Sequence, residues 1–218
     1  MGNPLNGEES KEVLKAVYLL QLEKGCATIE DVSRMLKQGR EWCERKLAEL
    51  EAGNLVKNVS AGRSSGFVLS DEGRRGLKVV LTGGVFDIVH VGHLATLREA
   101  KKLGDVLVVV VARDRTVERM KGRKPINSEE NRLEVVSALK PVDIAILGDE
   151  EDLYRTVRRV KPDVIALGYD QKHNEEEMRK KLNELGMNTK VVRLKIGIPH
   201  VKTSLIISRL QNIGKKSC

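Results

Sequence analysis

The sequence contains little cysteine. Its 218 residues include only Cys26, Cys43 and Cys218, which lie far apart and form no CxxC pair. So sparse a set argues against a disulfide framework and against a zinc site made of clustered thiolates. Thiols that stay reduced are typical of the cytoplasm. We therefore expect a cytoplasmic protein that is held together by its hydrophobic core.

A long apolar segment is also missing. The longest apolar run, VLVVVVA at 106–112, is far shorter than the stretch of about 20 residues that crosses a bilayer. The first residues, MGNPLNGEES, have neither the basic region nor the apolar region of a signal peptide. These absences predict a soluble protein without a membrane partner.

Positive charge is abundant, but only in one part of the chain. The formal net charge is +8; residues 1–76 carry 12 basic and 12 acidic side chains, whereas residues 77–218 carry 27 and 19. Such an excess suits a nucleic acid, a membrane surface or a small polyphosphate ligand. The motifs of the second part have to decide among these partners.

Residues 1–76 have the pattern of three helices followed by a short hairpin. Val13 and Val17 belong to an apolar series at helical spacing, and Thr28 stands three residues before Asp31, as the N-cap of a second helix does. REWCERKLAELEAG is a third helix, and two short β-type runs flank AGRSSG. This order resembles a winged helix-turn-helix module, so we predict such a domain here.

The third helix would be the one that enters the major groove of DNA. Its basic residues are interleaved with Glu41, Glu44, Glu49 and Glu51, which DNA phosphates would repel. DNA is therefore an open but disfavoured partner. We favour a dimerising, protein-binding or regulatory module, and a homodimer is compatible with that interpretation.

From Leu77 onward the pattern alternates between strand and helix. LKVVLTGG, HVGHLATLREAKKLG and DVLVVVVARD have the pattern of strand, helix and strand, and VDIAILG, DVIALG and KVVRL are further strand candidates. Continuous Val and Ile runs are typical of strands that are buried on both faces. Residues 77–218 are therefore predicted to form a doubly wound parallel α/β sheet, in which ligands bind at the carboxyl ends of the strands.

Two of the four histidines follow the first of these strands. We expect the strand to end at Leu81 and the next helix to begin near His90, which places His90 and His93 on one face of the first helical turn. Free N–H groups and the helix dipole favour an anion at that point. Two imidazoles there are suitable donors to phosphate oxygens.

Glycines surround the histidine pair. Gly83 and Gly84 would let the backbone approach a ligand closely, and Gly92 removes a side chain that would block access. Metal ligation and simple helix capping are alternative roles for the histidines. A zinc site needs a third and a fourth ligand, which no motif supplies, so we predict no protein-held metal. The dinucleotide fingerprint GxGxxG is absent.

The string TGGVFDIVHVGH is similar to the (T/G)xFDxxHxGH signature of the HxGH nucleotidyltransferase superfamily, which class I aminoacyl-tRNA synthetases share distantly. The resemblance extends from about Lys78 to Arg209. It implies a Rossmann-like fold of the HUP type and a nucleotide that is held by the signature residues. Those residues are Gly84, Val85, Phe86, Asp87, His90, Val91, Gly92 and His93.

A second region of the superfamily is similar to ARDRTVERMKGRKPINSEENR. In the family, basic residues of this region hold the triphosphate and an arginine follows. The resemblance assigns these roles to Lys121, Arg123 and Arg132. The alternative is a solvated basic surface loop, because charged runs are often no more than that.

Two later segments also resemble superfamily motifs. KPDVIALGYDQKH is similar to the nucleotide-contacting loop, with Gly168 and Asp170 as contacts, although a strand-ending turn is the alternative. VKTSLIISRL is similar to the late Ser/Thr motif. Lys202 replaces the first hydroxyl, which leaves Thr203 and Ser204 as implied phosphate contacts.

Taken together, these segments look most like the archaeal FAD synthases, which transfer AMP from ATP to FMN. The resemblance implies ATP and FMN as substrates, Mg²⁺ carried with the nucleotide, and catalysis by His90, His93, Lys121 and Arg132. One alternative is a CTP-dependent cytidylyltransferase that acts on glycerol phosphate or a similar alcohol phosphate. Another is a DNA-binding regulator whose second domain senses a nucleotide.

Overall fold

The structure is a computed structural model, which describes residues 7–61, 64–169, 171, 173–198, 201, 203 and 205–208. The chain divides into two compact units, Met1–Lys78 and Val79–Cys218. None of the helices in the described part of the chain combines the length and the apolar character that a bilayer span requires.

The first unit consists of three helices, a two-stranded antiparallel hairpin and a short helix. In chain order these elements are α1 (Glu8–Lys24), α2 (Ile29–Leu36), α3 (Arg40–Ala52), β1 (Val56–Ala61), β2 (Ser64–Leu69) and α4 (Asp71–Arg75). The predicted order of three helices and a hairpin is observed, and α4 is an addition to it. The identity of this unit as a winged helix-turn-helix domain stays a prediction.

Local signals in the sequence set the helix boundaries of the first unit. Gly25 has a φ of 90°, which glycine adopts without steric cost, and it ends α1. The Thr28 hydroxyl accepts a hydrogen bond from the Asp31 N–H at 3.1 Å, so the predicted N-cap of α2 is confirmed. Val13 and Val17 of α1 are fully buried, as the apolar periodicity predicts.

Two of the basic residues of α3 form ion pairs with neighbouring carboxylates. Arg40 forms ion pairs with Glu30 and with Glu44, and Lys46 Nζ lies 3.0 Å from a carboxylate oxygen of Glu9. A cation that is paired with a carboxylate has less charge to offer to DNA phosphates. DNA as a disfavoured partner stays a prediction.

The second unit alternates strands and helices. Its elements are β3 (Val79–Gly84), α5 (Val91–Lys101), β4 (Val106–Val111), α6 (Asp114–Lys121), α7 (Glu129–Ser137), β5 (Ile144–Leu147), α8 (Leu153–Val160), β6 (Val164–Leu167), α9 (Glu175–Glu184) and β7 (Lys190–Arg193).

These strands form one five-stranded parallel sheet in the order β5-β4-β3-β6-β7. The chain moves outward from β3 to β5 and then returns to the other side of β3, so the direction of winding reverses between β3 and β6. The fold is thus the predicted Rossmann-like doubly wound sheet. Such a reversal opens a crevice at the carboxyl ends of the central strands, where ligands of these folds bind.

Two local predictions were wrong. The first strand does not end at Leu81 but continues to Gly84, because Gly83 and Gly84 pair with Val110 and Val111 of β4. The segment DRTVERMK, which we treated as a basic run, is the helix α6. Only Val117 of that helix is buried, so its apolar periodicity was too weak to predict it.

The core of the second unit lies on both faces of the sheet. Every residue of β4 is buried, and Leu97 and Ala100 of α5 pack against this layer with Val136 of α7. Buried parallel strands require such covering helices. The carboxyl ends of the strands remain as the edge from which the loops of the site project.

We predict that Gly73→Ala destabilises the first unit. A Cβ at Gly73 would lie 1.9 Å from the carbonyl oxygen of Leu55, which is backbone and cannot rotate away. Overpacking of this kind costs roughly 1–3 kcal/mol or more. Chemical unfolding of the full chain measures the change. Gly39→Ala is the control, since no atom lies within 4 Å of its Cβ position; equal stability of the two variants would contradict the prediction.

Candidate active site

The candidate residues lie on loops that leave neighbouring strands at the same edge of the sheet. The histidine loop follows β3, the segment that begins α6 follows β4, and the Gly168 loop follows β6. Because the strands are parallel and adjacent, these loops converge at the reversal point between β3 and β6.

His90 and His93 form a reciprocal cap on α5. His90 is the N-cap residue, and its Nδ1 accepts a hydrogen bond from the Gly92 N–H at 3.2 Å. His93 Nδ1 accepts in turn from the His90 N–H at 3.3 Å. The two ring centroids are 4.0 Å apart with 32° between the planes. The imidazoles thus replace the Ser/Thr and Glu/Gln pair of an ordinary capping box.

This cap determines where the imidazole protons are. A ring nitrogen that accepts a hydrogen bond carries no proton, so in a neutral histidine the proton is on the other nitrogen. Nδ1 is the acceptor in both His90 and His93, which makes Nε2–H the donor in both. Helix capping and phosphate donation are therefore compatible roles, performed by different atoms of the same rings.

Gly92 is required by the histidine cap. A Cβ at this position would lie 3.0 Å from both Cε1 and Nδ1 of His90 and 3.5 Å from the Val201 carbonyl oxygen. Any larger residue would push the His90 ring out of its capping position. Val91 beside it is the first residue of α5, and half of its surface is exposed.

Gly84 stays a predicted nucleotide contact, and the space next to it is filled by an aromatic side chain. A Cβ at Gly84 would lie 3.0 Å from the Phe86 ring, so the space next to this glycine is occupied by Phe86. Phe86 itself is buried in a left-handed conformation, with φ at 54°. Its ring centroid is 5.2 Å from that of His93. Gly84 and Phe86 thus support the histidine from behind.

Asp87 fixes the basic segment to the histidine loop. Its buried Oδ1 accepts hydrogen bonds from the N–H groups of Ile126 at 2.7 Å and Asn127 at 3.0 Å. The Asn127 amide donates back to the Asp87 carbonyl oxygen at 2.6 Å. Oδ2 of Asp87 lies 3.5 Å from Nη1 of Arg123. The carboxylate therefore holds the loop that carries Arg123 beside the site.

Arg132 has a different position from the one that a triphosphate ligand needs. It is 1% exposed, and its guanidinium donates to the carbonyl oxygens of Asn127, Val85 and Ala112 and to the Asp114 carboxylate, at 2.6–3.0 Å. A phosphate could reach this group only if these bonds broke. The structure therefore corrects our prediction: Arg132 positions the loops that follow β3 and β4.

The other two predicted cations are on the surface beside this cluster. Lys121 is the last residue of α6 and is exposed, and Gly122 in the left-handed conformation turns the chain after it. Arg123 is 40% exposed in its side chain, next to Asp87. Both therefore remain candidates for contact with a phosphate.

Sequence reasoning missed two residues that shape the loop after β6. Gln171 donates from Nε2 to the Gly83 carbonyl oxygen at 2.6 Å and accepts from the Gly168 N–H at 3.1 Å. The Arg193 guanidinium donates to the carbonyl oxygens of Gly168 and Gln171 at 3.0 and 2.9 Å. Gly168 thus lies beside the end of β3. Asp170, the other predicted contact of this loop, lies outside the described residues.

The late Ser/Thr segment also reaches the histidine loop. The Thr203 hydroxyl donates to the Ile88 carbonyl oxygen at 3.2 Å, which places this residue against the loop between β3 and α5. Ser204 and Lys202 lie outside the described residues.

Asp149, which follows β5, is a carboxylate with two arginines nearby. Backbone N–H bonds from Asp152 and Glu151, together with the nearby Arg155 and Arg113, lower the pKa of Asp149. This carboxylate after β5 is therefore an anion at neutral pH.

In the described part of the chain, no three His, Cys, Asp or Glu side chains are grouped to hold a metal ion.

Comparison with known proteins assigns the second unit to a family. The pattern of the cytidylyltransferase-like family matches residues 81–209, more than half of the chain. The chain belongs to the cytidylyltransferase-like family. The match begins within β3 and includes the histidine loop, the basic segment and the late Ser/Thr segment.

Several curated relatives of this family are archaeal. A protein named FAD synthase from Thermoplasma acidophilum is 56% identical over 115 residues, which are 53% of this chain and 80% of that protein. One of the same name from Archaeoglobus profundus is 49% identical over 141 residues, 64% of this chain and 89% of that protein.

A relative of known crystal structure comes from Thermoplasma volcanium GSS1, where it is described as a lipopolysaccharide core biosynthesis protein. It shares 55% identity with this chain, and the match covers 55% of this chain and 97% of the relative. The two structures superpose with a TM-score of 0.53.

We predict that Arg132→Lys lowers stability rather than nucleotide affinity alone. Lysine keeps the charge but cannot fork to several carbonyl oxygens, and buried acceptors left without donors cost roughly 1–3 kcal/mol each. Thermal unfolding measures the loss. Arg123→Lys, at an exposed site, is the control and should leave stability unchanged. A stable Arg132→Lys protein with a raised KM for the nucleotide would restore the phosphate-ligand role.

The two roles of His93 can be separated by substitution. Glutamine at the third position of a helix accepts from the N-cap N–H, so His93→Gln keeps the cap, whereas His93→Ala loses it. Both lack the Nε2–H donor of the imidazole and should lose roughly 10² to 10³ in kcat. Only the alanine variant should lose stability, by about 1 kcal/mol. Full activity of His93→Gln would show that capping is the residue's whole contribution.

Proposed function

We propose that this chain is an FAD synthase that transfers AMP from ATP to FMN and releases pyrophosphate. The observation that carries the proposal is the similarity to curated relatives of that name. About half of the aligned residues are identical, and the alignments cover most of the relatives' length. The histidine pair at the amino end of α5 supports the proposal, because capping uses Nδ1 of each ring and leaves Nε2 of each ring for a phosphate group. As a member of its family, the chain is a nucleotidyltransferase.

The reaction needs no covalent enzyme intermediate. An oxygen of the FMN phosphate attacks the α-phosphorus of ATP, and a new phosphorus–oxygen bond forms as the bond from the α-phosphorus to the bridging oxygen of the β-phosphate breaks. The bridging oxygen leaves with its electron pair as part of pyrophosphate. Catalysis then consists of positioning and electrostatic stabilisation, as in phosphoryl transfer generally.

In this proposal the histidines contact the reacting phosphates. Donors that are already oriented stabilise the charge that develops in the transition state without having to reorganise. The caps of His90 and His93 provide such orientation, because each ring is held by a backbone N–H. Lys121 and Arg123 would neutralise the leaving pyrophosphate. Arg132 and Asp87 act through the loops that they hold.

Transfers of this kind need a divalent metal ion. We propose that the ion is Mg²⁺ and that it arrives bound to ATP, as part of the substrate. Thr203, Ser204, Gly168 and Asp170 complete the proposed set of nucleotide contacts. The proposed substrates, ATP and FMN, are both anionic, which agrees with the excess of basic residues in the second part of the chain.

The main alternative is a cytidylyltransferase that acts on glycerol phosphate or a similar alcohol phosphate. The general name of the family and the description of the Thermoplasma volcanium relative keep this alternative in the test. The acceptor and the base therefore have to be determined with substrates.

A substrate panel tests the proposal. The purified protein is incubated with Mg²⁺, either ATP or CTP, and one of FMN, glycerol phosphate or phosphopantetheine, while pyrophosphate and FAD are measured. We expect pyrophosphate and FAD in equal amounts with ATP and FMN, and no pyrophosphate from the other pairs. Turnover of CTP with glycerol phosphate would favour the cytidylyltransferase. If no pair yields pyrophosphate, a regulator that only senses a nucleotide would be favoured.

A further inference from the structure

Aromatic side chains are rare in the second unit, and one of them is exposed at the site edge. From residue 79 onward the sequence contains only Phe86, Tyr154 and Tyr169. Phe86 is buried behind His93, and Tyr154 lies on α8, where burial raises its pKa. Tyr169, which directly follows Gly168, is 39% exposed. Its position beyond the end of β6 places it at the crevice edge of the sheet.

Three described residues near Tyr169 in the sequence, Gly168, Gln171 and His173, share one hydrogen-bond donor. The Arg193 guanidinium donates to the carbonyl oxygens of Gly168, Gln171 and His173 and to the Glu175 carboxylate, at 2.6–3.0 Å. One guanidinium therefore binds several acceptors of this loop, because its planar N–H groups can donate to several oxygens at once. Backbone groups held in this way need little further ordering when a ligand binds beside them.

A second crosslink ties the same loop to the strand that leads to the histidines. The Gln171 side chain donates to the Gly83 carbonyl oxygen of β3 at 2.6 Å and accepts from the Gly168 N–H at 3.1 Å. Tyr169 directly follows Gly168 and stands two residues before Gln171 in the sequence. The described residues on both sides of it are thereby connected to β3, which leads to the histidine loop.

One side of the Tyr169 ring packs against a glycine. A Cβ at Gly197 would lie 2.9 Å from Cε1 and Cζ and 3.0 Å from Cε2 of the ring. Only a residue without a side chain leaves the ring where it is. The ring thus has a backbone support on one side and a solvent-exposed part at the site edge.

We propose that Tyr169 is a stacking platform for a planar heteroaromatic ring of a substrate. The inference rests on the proposed function, in which both substrates carry such a ring, adenine in ATP and isoalloxazine in FMN. Aromatic side chains stack on such rings without needing a particular pattern of donors and acceptors. A supported, preoriented tyrosine on a loop beside β3 is suited to that role.

The test measures the binding of each substrate alone. ATP binding is followed by calorimetry and FMN binding by the fluorescence of the flavin, with wild type, Tyr169→Phe and Tyr169→Ala. We expect Tyr169→Ala to weaken one of the two substrates about 5- to 100-fold and to leave the other unchanged. Tyr169→Phe keeps the ring and should bind both substrates within about two-fold of wild type. The substrate that is weakened identifies the ring that stacks.

Two further variants make the test sharper. Leu153→Ala removes another large apolar side chain of the same 39% exposure and should change neither affinity. Gly197→Ala pushes the ring away and should weaken the same substrate as Tyr169→Ala. In the double variant the added methyl group has no ring to displace, so the second change should have no further effect.

The outcomes separate this inference from the proposed function. If Tyr169→Ala changes neither affinity, or lowers both equally, or if Tyr169→Phe is as weak as Tyr169→Ala, Tyr169 is no stacking platform, although FAD synthesis by the wild type can still stand. If the wild-type protein binds neither ATP nor FMN, the proposed function fails, and this inference fails with it.

Discussion

The reciprocal cap of His90 and His93 is the interaction on which the site depends. Each Nδ1 accepts a backbone N–H at the start of α5, which leaves Nε2 as the nitrogen that carries the proton of a neutral ring. The cap also explains the residues around the pair. Gly92 leaves room for the His90 ring, and Phe86, which fills the space beside Gly84, supports His93. The helix end is thus stabilised by the same side chains that we propose as donors to an anion.

Two guanidinium groups, the buried one of Arg132 and the half-buried one of Arg193, hold the loops around this cap. Arg132 joins the ends of β3 and β4 to the segment before α7, and Arg193 gathers the loop between β6 and α9. Each satisfies carbonyl oxygens that have no partner in a strand or helix, and an unsatisfied buried carbonyl is costly. Part of the positive charge of this unit is therefore used to build the site and not to bind a ligand in it.

Asp87 and Gln171 also connect the loops of the site, Asp87 as a hydrogen-bond acceptor and Gln171 as a donor. Asp87 accepts from two backbone N–H groups of the basic segment, while Gln171 donates to a carbonyl oxygen at the end of β3. The loops from both sides of the reversal point are thereby connected to β3 and its following turn. A site assembled from several strand ends needs such connections, because catalytic groups have to keep their geometry to within a fraction of an ångström.

Much of the architecture is determined by the sequence alone. Buried Val and Ile runs predict the parallel strands, and the TGGVFDIVHVGH string predicts the family and the place of the site, because both depend on local residue patterns. The tertiary structure decided the roles within the site. Arg132 is buried because it lies four residues before Val136, on the inward face of α7, and two carbonyl oxygens from distant parts of the chain, those of Val85 and Ala112, meet it there. Gly84 lies against the Phe86 ring because of the backbone conformation between them. Arg193 contacts a loop more than 20 residues earlier because β7 lies beside β6 in the folded chain. Contacts between residues that are far apart in the chain leave no periodic signal in the sequence, so only the folded chain could show them.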